Sequence, residues 1–131
     1  MILNGVSPTV FIVDDDSDVR ESLRALLESF EFKVQDYASG VDFIQHLTPG
    51  GLYGCLVLDM HMPAFSGLET LNFLRQEAGI ALPVVMITGR SDPRVKARVL
   101  AAGASAYLEK PFDGDSFIGT IRNLLKVPAP I

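Results

Sequence analysis

The chain reads as an α/β domain built on a doubly wound, five-stranded parallel sheet of strand order 2-1-3-4-5. Three observations predict it. Apolar runs and amphipathic stretches alternate strictly along the length, giving five strand-helix units. The runs are short and near-continuously apolar, as strands covered on both faces are. Five units are also too few to close an eight-stranded barrel, which leaves the open sheet. In such sheets ligands bind beyond the carboxyl ends of the strands, where the strand order switches between the first and third.

The elements follow in order. Thr9–Val13 is the first strand. A helix over about Ser17 to Phe30 places Val19, Leu23, Leu26, Leu27 and Phe30 on one face at helical spacing. Ser17 or Asp18 can cap it, with Glu21 placed to close a capping box on Asp18. Phe32–Tyr37 is the second strand, and Ser39–Leu47 a short helix behind a Ser cap. Thr48-Pro-Gly-Gly51 is turn chemistry. Strand Gly54–Leu58 leads through Pro63 and Gly67 to a helix over Leu68–Glu77. Strand Val84–Thr88 precedes a helix from about Pro93 to Ala102, which starts with Pro after Asp92 and ends at Gly103. Ala106–Glu109 is the fifth strand, and Asp113–Lys126 the last helix. The expected unit is one domain over 1–126, with Val127-Pro-Ala-Pro-Ile131 a tail or the start of a linker.

At 131 residues the chain is long enough for one proper core and too short for two. Its net charge is −5 and its pI about 4.8, which argues against nucleic acid or anionic membrane as partners. The local basic stretch Arg90 to Arg98 reads as the solvated face of a helix. The single Cys55 cannot form an internal disulfide and sits in an apolar strand, so it reads as a packed thiol. With neither a bilayer-length run nor a signal-like start at Met1, the expected location is cytoplasmic.

The chemistry lies at the strand ends. Asp14 and Asp15 end the first run, Asp59 the third, Thr88 the fourth and Lys110 the fifth. Carboxylates about 5 Å apart repel by roughly 3 kcal/mol per pair at an effective dielectric near 20. Three together therefore call for a cation or a proton, and an all-oxygen donor set favours Mg²⁺ or Mn²⁺ over zinc. Neither His46 nor His61 has a partner at metal-ligand spacing. Asp16 reads as a helix cap. Asp59 is the candidate nucleophile, since a carboxylate can accept a phosphoryl group as an aspartyl phosphate. Lys110 and Thr88 would supply an ammonium and a hydroxyl to the phosphoryl oxygens.

These residues carry a resemblance. Phe11-Ile-Val-Asp-Asp15, Leu56-Val-Leu-Asp-Met-His-Met-Pro63 with Gly67, Ile87-Thr-Gly89 and Tyr107-Leu-Glu-Lys-Pro-Phe112 stand in order from Val10 to Lys126. The chain resembles the receiver domains of bacterial two-component response regulators, the CheY-like superfamily with its flavodoxin-like fold. The resemblance implies that Asp59 takes a phosphoryl group from a phosphohistidine on a sensor histidine kinase or phosphotransfer protein. It implies direct Mg²⁺ ligation by Asp15, Asp59 and the backbone carbonyl of His61, with Asp14 acting through water. Thr88 and Tyr107 match the family's switch pair, and Lys110-Pro111 a bond that is usually cis and would aim the lysine into the pocket. His61 and Arg90, two residues beyond Asp59 and Thr88, are expected to govern water access to the phosphoryl group. The signal is expected to reach the face of the fourth helix, fifth strand and fifth helix, with Arg94, Lys96, Arg98, Tyr107, Asp115 and Arg122, where a phosphorylation-dependent homodimer could form.

Other classes fit less well. A flavin carrier of this fold type needs a phosphate-cradling loop where Asp14-Asp15-Asp16 would repel one. A haloacid-dehalogenase phosphatase carries a second Asp two residues after the nucleophile, where this chain has His61. A docking module independent of phosphorylation would not need all five pocket side chains. Two forms of the receiver reading stay open: a stand-alone receiver acting by contact, or the receiver half of a longer regulator. The motifs Ile87-Thr-Gly-Arg90 and Glu109-Lys-Pro-Phe112 are similar to receivers that precede helix-turn-helix domains and favour the second.

Overall fold

A computed structural model describes residues 7–48, 52–90 and 92–126. The strands are β1 (Thr9–Val13), β2 (Lys33–Tyr37), β3 (Gly54–Asp59), β4 (Val84–Thr88) and β5 (Ala106–Glu109). The helices are α1 (Ser17–Ser29), α2 (Gly40–Gln45), α3 (Gly67–Asn72), α4 (Pro93–Ala101) and α5 (Gly114–Lys126). All five strands are parallel, in the order β2-β1-β3-β4-β5. The expected fold class holds. The turn expected at Thr48–Gly51 and the tail from Val127 lie largely or wholly outside the described residues.

Alternate residues of each strand point to opposite faces, and this splits the core in two. Val10, Ile12, Cys55, Val57, Val85 and Ile87 pack against Leu23 and Leu27 of α1 and Phe117 and Ile121 of α5. Phe11, Val13, Leu56, Leu58, Val84 and Met86 pack against Phe43 of α2, Leu71 of α3 and Val99 of α4. Every residue of β1 and β4 is buried, and all of β3 after Gly54. The edge strands differ from the expectation of continuous burial: Lys33 and Gln35 on β2 and Glu109 on β5 are exposed. An edge strand has one side open to water, and charge there discourages pairing with another chain.

Helix starts follow their caps, with one correction. Asp16 caps α1, accepting from the N–H groups of Asp18 and Val19, so neither Ser17 nor Asp18 is the cap. Asp16 alone of the three is extended (φ −88°, ψ 113°), and that backbone aims its carboxylate at the open amides. Ser39 caps α2, as expected, and Asp92 caps α4. Ser66 and Glu69 form a reciprocal capping box that starts α3 at Gly67.

The third helix does not run evenly to Glu77. Its last stretch, Phe73–Glu77, is a π-helical turn. Leu74 is buried there, while the Arg75 guanidinium donates to the carbonyls of Ile80 and Leu82 (both 2.7 Å) and Gly103 (2.9 Å). Gly103 sits at φ +111°, and a Cβ on it would meet the Arg75 side chain. At the end of α1, Glu31 takes the left-handed conformation (φ 67°) that glycine usually fills.

Candidate functional site

Register places the site. Val13 pairs with Leu58, the last rung between β1 and β3, and the next residues along the chain are Asp14 and Asp59, the latter still within β3. Asp59 pairs with Ile87 and Thr88 with Glu109, which puts Thr88 and Lys110 at the neighbouring tips. The sheet thus collects acid, acid, hydroxyl and ammonium at one end. Gly67 closes the loop that follows β3: its N–H donates to the Met60 carbonyl (3.0 Å), and a Cβ would collide with the Asp59 backbone.

Asp14 and Asp59 are buried, whereas Asp15 is exposed. One carboxylate oxygen from each lies within 4.8 Å of the others. Among the described residues this is the group able to hold a metal ion, and its donors are all oxygen, which suits a hard divalent cation. The Lys110 ammonium lies 3.6 Å from Asp14 Oδ2 and 3.5 Å from Asp59 Oδ1. The Lys110-Pro111 peptide is cis. Asp14 Oδ1 also accepts the Asp16 N–H (2.9 Å), and Arg20 donates to the Asp14 main-chain carbonyl (2.7 Å).

The two buried carboxylates hold their protons more tightly than usual. Burial is the main cause for both. The neighbouring Asp14 charge adds to the rise at Asp59, while Lys110 opposes it. At Asp14 the Asp16 N–H and Lys110 oppose the rise, and Asp15 adds to it. With all three acids ionised and Lys110 charged, the pocket is two positive charges short of neutrality.

Thr88 is completely buried, and its hydroxyl is committed. It donates to the Arg90 carbonyl (2.9 Å), accepts the Arg90 N–H (3.1 Å) and lies 3.0 Å from His61 Nε2. Tyr107 is half-buried, with Lys96 Nζ 5.9 Å from its ring centroid. Its hydroxyl is buried and has no hydrogen-bond partner among the described residues. Arg94, Lys96, Arg98 and Asp115 are exposed on α4 and α5. Arg122, grouped with them by sequence, instead lies over the Phe30 ring beside α1, 5.4 Å from its centroid.

The structure thus brings Asp14, Asp15, Asp59 and Lys110 together, with Thr88 at the adjacent tip. The sequence reading considered the His61 backbone carbonyl and a side-chain effect on water access, but missed the bond from its ring to Thr88. It also missed the support of Asp14 by Arg20. The His61 ring, two residues beyond the end of β3, reaches the last residue of the adjacent β4, and that offset was the available signal.

Residues 10–122 match the family model described as "Response regulator receiver domain". The chain belongs to the response regulator receiver family. It is 35% identical over 126 residues to the response regulator protein TmoT of Ectopseudomonas mendocina, covering 95% of this chain and 56% of that protein. It is 39% identical over 113 residues to the transcriptional regulatory protein FixJ of Azorhizobium caulinodans, covering 86% of this chain and 53% of FixJ. The crystal structure of FixJ-N superposes with a TM-score of 0.85 at 34% identity, over 95% of this receiver and 98% of that chain. The receiver spans about half the length of the curated relatives it matches. No helix among its described residues is long and apolar enough to cross a membrane.

Proposed function

We propose that this receiver is a phosphorylation-controlled switch whose phosphoacceptor is Asp59. The observation that carries the reading is Lys110 poised between two buried carboxylates, with Asp15 beside them. An Asp59 carboxylate oxygen attacks the phosphorus of a phosphohistidine on a sensor histidine kinase or phosphotransfer protein. The P–N bond breaks as the P–O bond forms, and the imidazole nitrogen keeps the electron pair and takes up a proton. Asp15, Asp59 and the His61 main-chain carbonyl would hold Mg²⁺, or Mn²⁺, directly, with Asp14 acting through water. The ion supplies positive charge that offsets repulsion between the acids and the incoming phosphoryl oxygens. Lys110 holds further positive charge against those oxygens, and the Thr88 hydroxyl donates to one of them.

In this reading Thr88 and Tyr107 carry the change to the face of α4, β5 and α5, whose mixed charges suit pairing of two phosphorylated copies. Relatives named as transcriptional regulators, of which this chain covers about half, support transcription as the output. That output would act through a DNA-binding domain outside this chain, in the cytoplasm. The test is intact-mass analysis after incubation with Mg²⁺ and a small-molecule phosphodonor. One labile phosphoryl adduct is expected, absent without the metal and absent from Asp59→Asn. An adduct that persists in Asp59→Asn would refute the assignment.

A further inference from the structure

The Thr88 hydroxyl has one proton and three partners, and only one arrangement satisfies all three. Arg90 N–H must donate to Oγ1, so the hydroxyl proton goes to the Arg90 carbonyl 2.9 Å away. His61 Nε2, 3.0 Å from Oγ1, is then a donor and carries the ring proton. Oγ1 is saturated: it accepts twice and donates once. Among the described residues none of these bonds goes to Asp14, Asp59 or Lys110. The arrangement seen is one in which the hydroxyl is withheld from the pocket.

We infer that His61 is a positioning residue that latches Thr88 in its resting arrangement, so that its imidazole acts as a brake on the switch. The inference rests on the reading of Thr88 as a donor to the phosphoryl group. For the hydroxyl to turn to a phosphoryl oxygen, it must release His61 and both Arg90 groups. The two Arg90 bonds are main-chain and would exist with any residue at that position. The His61 bond alone depends on a side chain. It reaches from the loop after β3 to the tip of β4 and is exposed on its outer side, so its removal leaves the core intact. One net hydrogen bond corresponds to about a two- to tenfold bias in a two-state equilibrium. The main-chain carbonyl of His61 is unchanged by any substitution of the ring, so the metal donor set stays complete.

The test reads the affinity of the receiver for beryllofluoride, a phosphoryl mimic that is not hydrolysed, at saturating Mg²⁺. Leu in place of His61 is expected to bind it about two- to tenfold more tightly than the unaltered receiver. Gln, whose amide can donate to Oγ1, is expected to return most of the way. In a Thr88→Val background the His61→Leu change is expected to have no effect, because there is no hydroxyl to latch. Unchanged affinity in His61→Leu, or an equal gain in the Thr88→Val background, would overturn the latch while leaving the receiver reading intact. Failure of the unaltered receiver to bind the mimic at all would overturn the receiver reading and the latch with it. Hydrolysis rates do not enter these readouts, so an effect of His61 on water access cannot imitate the result.

Discussion

Replacing Lys110 by Met tests the charge arithmetic of the pocket without altering the bulk of its stem. The ammonium lies 3.6 and 3.5 Å from Asp14 and Asp59, and each contact is worth about 4–5 kcal/mol at an effective dielectric near 20. The full sum is not lost. The Lys110 side chain is 31% exposed, so water screens part of the attraction. Once it is gone, one carboxylate can take up a proton, at about 1.4 kcal/mol per pH unit above its pKa. With both limits applied, the metal-free variant loses about 2–4 kcal/mol at about pH 7.5, in the range of a broken buried pair. The sign with pH is fixed. Asp14 and Asp59 have raised pKa values in the folded protein, and removing Lys110 raises them further. The folded state then binds protons that the unfolded state does not, so the penalty shrinks as pH falls through the folded pKa. The loss should therefore be smaller at about pH 5 than at about pH 7.5. Urea unfolding followed by circular dichroism, with chelator present, measures both points. Adding Asp59→Asn to the variant should recover at least half the loss. A loss under about 0.5 kcal/mol, or one equal at both pH values, would refute the reasoning.

Other expectations follow from single contacts. Asp14→Asn keeps an acceptor for the Asp16 N–H and removes a charge that burial disfavours, so it should raise the urea midpoint of the metal-free protein at neutral pH. Mg²⁺ should raise the melting temperature of the unaltered protein and do so less for this variant. Glu31→Gly relieves a left-handed residue at the end of α1 and should stabilise by about 1 kcal/mol in the same unfolding assay. Arg75→Met strips three carbonyls of a charged donor and should cost about 2–4 kcal/mol, with faster amide exchange around Gly103. Burial pushes the Cys55 thiol up to about 12, so iodoacetamide should fail to label it in native conditions and label it in urea, as mass spectrometry would show.

The sheet was legible because its strands are written as apolar runs, and the end of each run is a residue whose chemistry is readable by itself. Asp14, Asp59, Thr88 and Lys110 needed no more than that. What composition could not distinguish was decided by backbone geometry. Asp16, Ser17 and Asp18 are all residues that can cap a helix, and the extended Asp16 is the one whose carboxylate accepts from the free amides. The half-exposure of β2 and β5 follows from their edge positions in the expected strand order, although each run taken alone reads as a strand like the others. The π-helical turn answers to tertiary demands, namely the burial of Leu74 and the reach of Arg75 to two loops. The Ser66–Glu69 box was readable as Ser-x-x-Glu and shifts the start of α3 by one residue. The His61–Thr88 bond spans 27 residues and becomes visible only once β3 and β4 are set in register.

The gathering of the strand ends at one edge of the sheet bears on how such a molecule can change over generations. Below the last rung, a substitution on β1, β3 or β4 disturbs one of two closely packed cores and is penalised by folding itself. Above it, His61 and Arg90 are exposed, and neither belongs to the two apolar cores. Selection can therefore vary those two positions almost free of any folding constraint. On the proposed switch and the latch inferred above, descendants with one shared scaffold would run their switches at different speeds, fast where a stimulus is brief and slow where a response must persist.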